Sequence, residues 1–196
     1  MTKYQKFQKR SFDILFSFIG LILTGWLILI SFIIATIDTR LNGFFIQKRV
    51  GKNGKLFLVI KIRSMRSVSS ITTTVTTAKD PRISTVGRFF RKTKLDELPQ
   101  LINVLIGNMS FVGPRPDVPG FADKLTGNDR RILELRPGIT GPASVYFKNE
   151  EEILAVQEYP EKYNLEVIWP KKVRLNLEYL DNYSLLKDIR CIIQTL

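Results

Sequence analysis

Residues 94–117 read KLDELPQLINVLIGNMSFVGPRPD and join an adjacent carboxylate pair, an apolar helical pattern and a loop rich in Gly, Pro and Arg. Asp96 is a favourable helix N-cap, and Pro99 is tolerated in a first turn because amides there lack intrahelical partners. The pattern predicts a helix that ends at Gly107 and buries one stripe, made of Leu98, Leu101, Ile102 and Leu105. Asp96 and Glu97 are then either a cap with a dipole-favoured neighbour or a chemically active pair.

The residues on both sides of this helix carry patterns that suit binding of phosphate, while the two interpretations of the pair stay open. Downstream, Gly113, Pro114 and Pro116 hold the backbone around Arg115, whose guanidinium suits bidentate binding of phosphate. A second Gly/Pro cluster at 136–142 is expected to make another turn at the same site or to support it. Upstream, residues 81–95 contain no acidic residue and five basic ones, which predicts an anion site rather than only a solvated helix face: Arg82, Arg88, Arg91, Lys92 and Lys94.

Composition limits the kinds of chemistry that are available. The chain has 196 residues, 30 Lys and Arg against 18 Asp and Glu, and a net charge of +12. This excess implies an anionic partner such as nucleic acid, lipid headgroups or a phosphate-rich substrate. No aromatic-rich binding module accompanies the basic residues, so no nucleic acid is expected. The absence of His and the single Cys191 exclude histidine triads, an internal disulfide and a cysteine-built zinc site, and fit a reducing, cytoplasm-facing location.

An uncharged run at residues 14–37 predicts a membrane anchor. Its 24 positions would form a helix of roughly 36 Å, enough to cross a bilayer. Basic residues flank both ends, and a simple span would place one cluster on the unfavoured side. A re-entrant helix, kinked near Thr24-Gly25-Trp26, would keep both flanks on one side. From these residues alone both topologies remain open.

The remaining patterns predict a small α+β domain that is mostly helical and contains a short β-hairpin. The hairpin has strands near 44–50 and 55–63 and a turn at Lys52-Asn53-Gly54. Along the second strand one face changes from apolar to cationic, which would aim Lys61 toward a site. The Ser- and Thr-rich residues 67–79 are predicted to form a mobile loop or lid. Helices are expected at 150–157, 170–183 and 184–196, the last with a stripe of Leu185, Ile189, Ile192 and Leu196 that packs on the domain or lies on a membrane surface.

Motifs along nearly the whole chain resemble those of bacterial sugar transferases of the monotopic polyprenol-phosphate phosphoglycosyl transferase family. The block at 96–116 is the most specific of them. The other matching segments are Lys9-Arg10 with Phe12-Asp13, and residues 44–51, 61–65, 80–82 and 137–141. The family commonly breaks its membrane helix with a Ser-Pro pair, which Thr24-Gly25-Trp26 replaces here. Residues 146–169 also lack the family pattern, so the resemblance does not indicate the donor sugar.

The resemblance implies transfer of a phosphosugar from a UDP-sugar to a membrane polyprenol phosphate. UMP would be released, and the polyprenol diphosphate sugar would initiate assembly of a polysaccharide, O-antigen or glycoprotein glycan. It also implies an N-terminal re-entrant membrane helix in residues 1–40, bound to membrane lipid. Residues 41–196 would form the catalytic domain on the cytoplasmic face of the bacterial inner membrane. The alternative is a non-catalytic, membrane-anchored binder of nucleotide-sugar or anionic lipid.

Site residues follow from the resemblance in the same way. Asp96 would be the nucleophile that forms an aspartyl phosphosugar, and Glu97 a metal ligand or a base toward the acceptor. Both carboxylates would contact Mg²⁺, which prefers oxygen ligands and phosphates. Phosphate groups would be held by four cationic side chains, Lys61, Arg82, Arg91 and Arg115.

Overall fold

The structure, a computed structural model, describes residues 1–67 and 80–195. The predicted lid at 67–79 therefore lies outside the described residues, apart from Ser67. The α-helices are α1 Lys3–Thr39, α2 Thr85–Lys92, α3 Gln100–Ile106, α4 Pro142–Tyr146, α5 Glu150–Ala155, α6 Pro160–Tyr163, α7 Trp169–Asp181 and α8 Leu185–Thr195. The strands are β1 Phe44–Val50, β2 Leu56–Ile62, β3 Ser110–Val112 and β4 Gly138–Thr140. Short 3-10 turns lie at Lys52–Gly54, Leu95–Glu97, Ala122–Lys124 and Asp129–Glu134, and a π turn at Asn164–Ile168.

Helix α1 is a single element of 37 residues, roughly 55 Å long. It begins with a reciprocal cap in which Gln5 N donates to Thr2 Oγ1 and Thr2 N donates to Gln5 Oε1. The helix is continuous through Thr24-Gly25-Trp26, where the sequence favoured a kink, and Thr24 Oγ1 donates to the Gly20 carbonyl at 2.7 Å. By length and composition it could cross a membrane.

One face of α1 packs on the rest of the protein from end to end. The other face exposes large apolar side chains, among them Leu23, Trp26 and Ile37, each at least 60 % exposed. Ala35, near the helix C-terminus, belongs to an apolar cluster with Ile62 of β2. The buried positions recur mostly three or four residues apart, as one helical face requires: Lys9, Asp13, Ser17, Ile28, Ser31, Ala35 and Thr39.

Near the N-terminus of α1 the contact is polar. Lys9 Nζ lies 2.7 Å from Asp188 Oδ2 of α8, and Tyr179 Oη donates to Asp188 Oδ1 at 2.5 Å. This ion pair corrects the predicted stripe of α8, because Asp188 and Cys191 are its buried residues whereas Ile189 is 38 % exposed. An apolar pattern cannot anticipate a buried carboxylate whose cation lies far away in the sequence.

The predicted hairpin is confirmed. Strands β1 and β2 pair antiparallel from Phe44 opposite Ile62 to Val50 opposite Leu56. Asn53 and Gly54, with φ of 57° and 77°, supply the left-handed backbone of the turn.

The two Gly/Pro clusters are joined by a parallel strand pair that sequence reasoning missed. In β3 and β4, Ser110 lies opposite Gly138 and Val112 opposite Thr140. The approach needs glycine, since a Cβ on Gly113 would lie 2.2 Å from the Arg136 carbonyl oxygen. The second cluster therefore supports the first, as predicted.

The predicted helix around Asp96 starts later than expected. Asp96 lies within the 3-10 turn Leu95–Glu97, and α3 begins at Gln100 with Pro99 in the cap position. Because the backbone of this turn is already helical, Asp96 cannot take the extended conformation of an N-cap, so the cap interpretation is wrong. The end at Gly107, with φ of 92°, is confirmed. The buried face is also rotated from the predicted stripe and consists of Gln100, Leu101, Asn103 and Val104.

Candidate active site

Four of the six predicted site residues lie together. Lys61 Nζ, at the end of β2, is 3.0 Å from Glu97 Oε1, and Arg115 Nη2, in the loop after β3, is 3.4 Å from the same oxygen. Asp96 precedes Glu97 in the same 3-10 turn. A strand, a turn and a rigid loop thus bring two cations and two carboxylates to one place.

Glu97 is an ionised bridge between the two cations. Its side chain is 12 % exposed. Burial alone would raise its pKa, but Lys61 and Arg115 outweigh that effect and lower the pKa to about 2. The pKa of Arg115 is raised, chiefly by Glu97. A carboxylate held this firmly in its charged form is a weak base and a good fixed point for orienting cations.

Asp96 differs from Glu97 in two ways, because its pKa is raised rather than lowered and one of its oxygens has no partner in the described part of the chain. It is 7 % exposed, and its Oδ1 is buried without a hydrogen-bond partner among the described residues. Burial and the neighbouring charge of Glu97 raise its pKa to about 6, although Lys61 and Arg91 oppose that rise. An unpartnered buried carboxylate is costly, and such groups concentrate at functional sites. Asp96 therefore has a buried oxygen left for a ligand.

The other two predicted phosphate ligands are paired with acidic residues of their own. Arg91 of α2 forms an ion pair with Glu151 of α5, and its charge acts on Asp96. Arg82 Nη2 lies 2.6 Å from Asp80 Oδ2, and this pair lowers the pKa of Asp80. Neither arginine forms an ion pair with Asp96 or Glu97 in the part of the chain that the structure describes.

A small cavity of about 20 Å³ adjoins the cluster and contains a residue that sequence reasoning did not assign, Arg49. Its Nη1 donates to the Pro116 carbonyl at 3.1 Å, and Val50 N donates to the Asp117 carbonyl at 2.9 Å. The end of β1 therefore holds the loop that carries Arg115. The sequence did carry a signal for Arg49, because it lies in the segment 44–51 that resembles the family, but no role was assigned to it. The described residues that line the cavity are Arg49, Val59, Lys61, Glu97, Gln100, Arg115, Pro116, Gly138 and Ile139.

Asn103 was also missed, although it fixes α3 to β2. Its Oδ1 accepts from Ile60 N at 3.0 Å, and its Nδ2 donates to the Leu58 carbonyl at 2.7 Å. The last carbonyls of α3 are satisfied from α1, because Arg10 donates to Val104 O and Leu105 O at 2.7 and 2.8 Å. The Asn103 bonds thus hold α3 against the strand that carries Lys61, and Arg10 ties the other end of α3 to α1.

The residues present fit a magnesium ion that arrives with phosphate. Among the described residues no group of three or more His, Cys, Asp or Glu could hold a metal by itself. Mg²⁺, however, is usually bound through one or two carboxylates together with substrate phosphates and water. The unpartnered Oδ1 of Asp96 could provide such a ligand, with the Glu97 carboxylate next to it in the sequence.

The arrangement suits chemistry on a phosphate. Lys61 and Arg115 can neutralise phosphate oxygens, and Asp96 offers a carboxylate oxygen without needing histidine. The rigid loop and the 3-10 turn hold these groups in fixed directions.

Comparison with known proteins agrees with this chemistry. Residues 4–196 match the bacterial sugar transferase family. A putative undecaprenyl-phosphate N-acetylgalactosaminyl 1-phosphate transferase of Bacillus subtilis is 40 % identical over 63 % of this chain and 76 % of its own. The exopolysaccharide production protein PSS of Rhizobium leguminosarum is 34 % identical over 95 % of this chain and 92 % of its own.

A longer relative matches over only part of its length. The undecaprenyl-phosphate galactose phosphotransferase of Salmonella typhimurium is 34 % identical over 97 % of this chain, which spans 40 % of that protein. The match to the family, in contrast, covers nearly all of this chain and includes every residue of the cluster described above. The chain therefore belongs to the bacterial sugar transferase family.

Proposed function

We propose that this protein transfers a sugar phosphate from a UDP-sugar to a membrane polyprenol phosphate, releasing UMP. Relatives named for undecaprenyl-phosphate sugar-phosphate transfer support the reaction class. Their number and similarity also argue against a non-catalytic binder of nucleotide-sugar or lipid. The observation that carries the proposal is Asp96, a buried carboxylate with a free oxygen beside two cations that Glu97 orients.

In the first step, Asp96 would attack the sugar-bearing phosphorus of the donor. A bond forms between a carboxylate oxygen and phosphorus, the bond from phosphorus to the UMP oxygen breaks, and UMP leaves with the electron pair. Lys61 and Arg115 would stabilise the charge that develops on the phosphoryl oxygens. The pKa of about 6 leaves Asp96 mostly ionised at neutral pH, as a nucleophile requires.

In the second step, a phosphate oxygen of the polyprenol phosphate would attack the same phosphorus. The aspartyl bond breaks, the carboxylate is restored, and the polyprenol diphosphate sugar leaves. Glu97, with its low pKa, would orient Lys61 and Arg115 rather than act as a base. A bound Mg²⁺, held by Asp96 and Glu97, would supply charge neutralisation to the diphosphate.

The packing of α1 supports an anchor that stays on one side of the membrane rather than a spanning one, although the continuous helix lacks the kink expected of a re-entrant hairpin. Its N-terminal part contacts α8 through Lys9 and Asp188, whereas its C-terminal part packs on β2 through Ala35. A straight span with this packing would draw a charged domain into the hydrocarbon. Burying only the exposed apolar face keeps both basic flanks on the cytoplasmic side, together with the site.

Release of UMP tests the reaction directly. The 196-residue chain, in detergent with undecaprenyl phosphate and a panel of UDP-sugars, should release UMP with at least one donor. Without acceptor, the donor should leave a phosphosugar on Asp96 that intact mass detects. Asp96→Asn should abolish both signals, whereas Asp129→Asn, at an exposed position, should retain them. Full activity of the Asp96→Asn variant would refute the assigned nucleophile.

A further inference from the structure

An open depression of about 470 Å³ lies between the end of α4 and helix α5, outside the catalytic cluster. Its volume is in the range of small-molecule sites. The described residues that line it are Tyr146, Lys148, Asn149, Glu152, Ile153 and Val156. They combine one aromatic ring and two aliphatic side chains with an amide, an ammonium and a carboxylate.

Helix α5 begins with three consecutive carboxylates, two of which have cationic partners. Glu150 pairs with Lys172 at 2.7 Å, and Glu151 pairs with Arg91. Glu152 forms no ion pair within the described part of the chain, is exposed, and lines the depression. It is thus the carboxylate of this turn that can accept hydrogen bonds from a ligand.

The same two ion-paired carboxylates connect the depression to the catalytic cluster. Arg91, which pairs with Glu151, lies on α2, and α2 packs against the 3-10 turn that holds Asp96. Glu150 also acts electrostatically on Arg115. A donor whose diphosphate lies at Lys61 and Arg115 therefore has one end close to α5. This placement rests on the proposed function, since it takes the ligand to be a UDP-sugar.

The lining favours the hexose of the donor over its uridine. Amide, carboxylate and ammonium groups side by side match the adjacent hydroxyl groups of a sugar ring. The aromatic ring is less available for stacking on a base, because Lys171 Nζ lies 5.4 Å from the Tyr146 centroid and the Phe147 ring meets it edge-on. Relatives named for N-acetylgalactosamine and galactose transfer also show that the sugar varies within the family.

We infer that the depression formed by residues 146–156 binds the sugar ring of the UDP-sugar donor and selects its identity through Asn149 and Glu152. Selection would act through hydroxyl hydrogen bonds, which reject a wrong isomer by leaving polar groups unpaired.

The test compares three donors, UDP-glucose, UDP-galactose and UDP-N-acetylgalactosamine, in the UMP-release assay. For the best donor, Glu152→Gln and Asn149→Ala should each lower kcat/KM by about tenfold or more, or change the donor ranking. Inhibition by UDP, which has no hexose, should change by less than about twofold. Glu158→Gln, an exposed position outside the depression, is the matched control and should behave like the wild type.

Two results would overturn the inference. Equal losses for every donor together with weaker UDP inhibition would place the nucleoside in the depression. Unchanged kcat/KM and ranking in both variants, with melting temperatures like the wild type, would place the sugar elsewhere. Failure of the proposed function is distinct, because the wild type would then release no UMP from any donor.

Discussion

Asp96→Asn should make the protein more stable while it removes activity. Burial and Glu97 raise the Asp96 pKa from 3.8 to about 6. At about 1.4 kcal/mol per pKa unit, folding with this carboxylate ionised costs about 3 kcal/mol at pH 7. An amide of the same shape carries no such cost. For a chain of this length the gain corresponds to an increase in Tm of about 6 to 12 °C.

The pH dependence of this gain gives the prediction its sign. A carboxyl whose folded pKa is raised contributes stability below its unfolded value of 3.8 and loses that contribution as the pH rises through about 6. The wild type and the Asp96→Asn variant should therefore have nearly the same Tm near pH 4, and the difference between their Tm values should grow up to about pH 7. Thermal melting in detergent and EDTA measures this, with Asp129→Asn expected within about 0.5 kcal/mol of the wild type.

Magnesium adds a control that does not depend on activity. If the ion binds Asp96, Mg²⁺ should raise the Tm of the wild type and leave that of the Asp96→Asn protein unchanged. If Asp96 were only a helix N-cap, the Asp96→Asn substitution would leave the Tm unchanged at every pH, because Asn caps a helix as well as Asp does. A variant that melts at or below the wild-type temperature at pH 7 would refute the reasoning.

Three further outcomes are expected. Lys61→Met should lower kcat/KM for UMP release by about 100-fold, because the substrate phosphate loses a fixed cation. Lys55→Met, at an exposed position on the same hairpin, should leave kcat/KM unchanged. A loss below threefold in the Lys61→Met variant would contradict this prediction. Gly113→Ala should lower the Tm, since its Cβ would lie 2.2 Å from a carbonyl oxygen, whereas Gly25→Ala, which has open space, should not. Reporter cysteines near Lys6 and Lys52, in a Cys191→Ser background, should react alike with an impermeant reagent in intact cells; labelling of only one would contradict re-entry.

Features that depend on neighbouring residues could be predicted from the sequence. The hairpin follows from alternation and an Asn-Gly turn, and the end of α3 follows from a glycine that can adopt positive φ. These features need no knowledge of distant residues. The structure brings Lys61 and Arg115 to Glu97, and their role as phosphate ligands stays a prediction.

The remainder depends on contacts between segments that are far apart in the chain. Asp96 could be taken for a cap because nothing local shows that Lys94, at φ of 59°, turns the backbone before it. Arg49 and Asn103 act through backbone groups of other elements, which composition does not reveal. Lys9 and Asp13 lie four residues apart and therefore on one face of a largely apolar helix, where charged side chains need partners. This spacing indicates buried polar contacts, and the sequence predictions did not use it.

Contacts of α1 bear on how the proposed reaction would bring together a lipid-borne and a soluble substrate. Arg10 satisfies the last carbonyls of α3, and Asp13 Oδ1 accepts from Ser110 Oγ and Phe111 N of β3, at 3.0 and 3.1 Å. The proposed anchor helix therefore holds the helix that follows Asp96 and the strand that precedes Arg115. If α1 is the membrane anchor, these direct contacts, and not a linker, would set the height of the site above the bilayer. In the proposed reaction, the lipid-borne phosphate would then reach Asp96 at headgroup depth, and the nucleotide would arrive from the water above it.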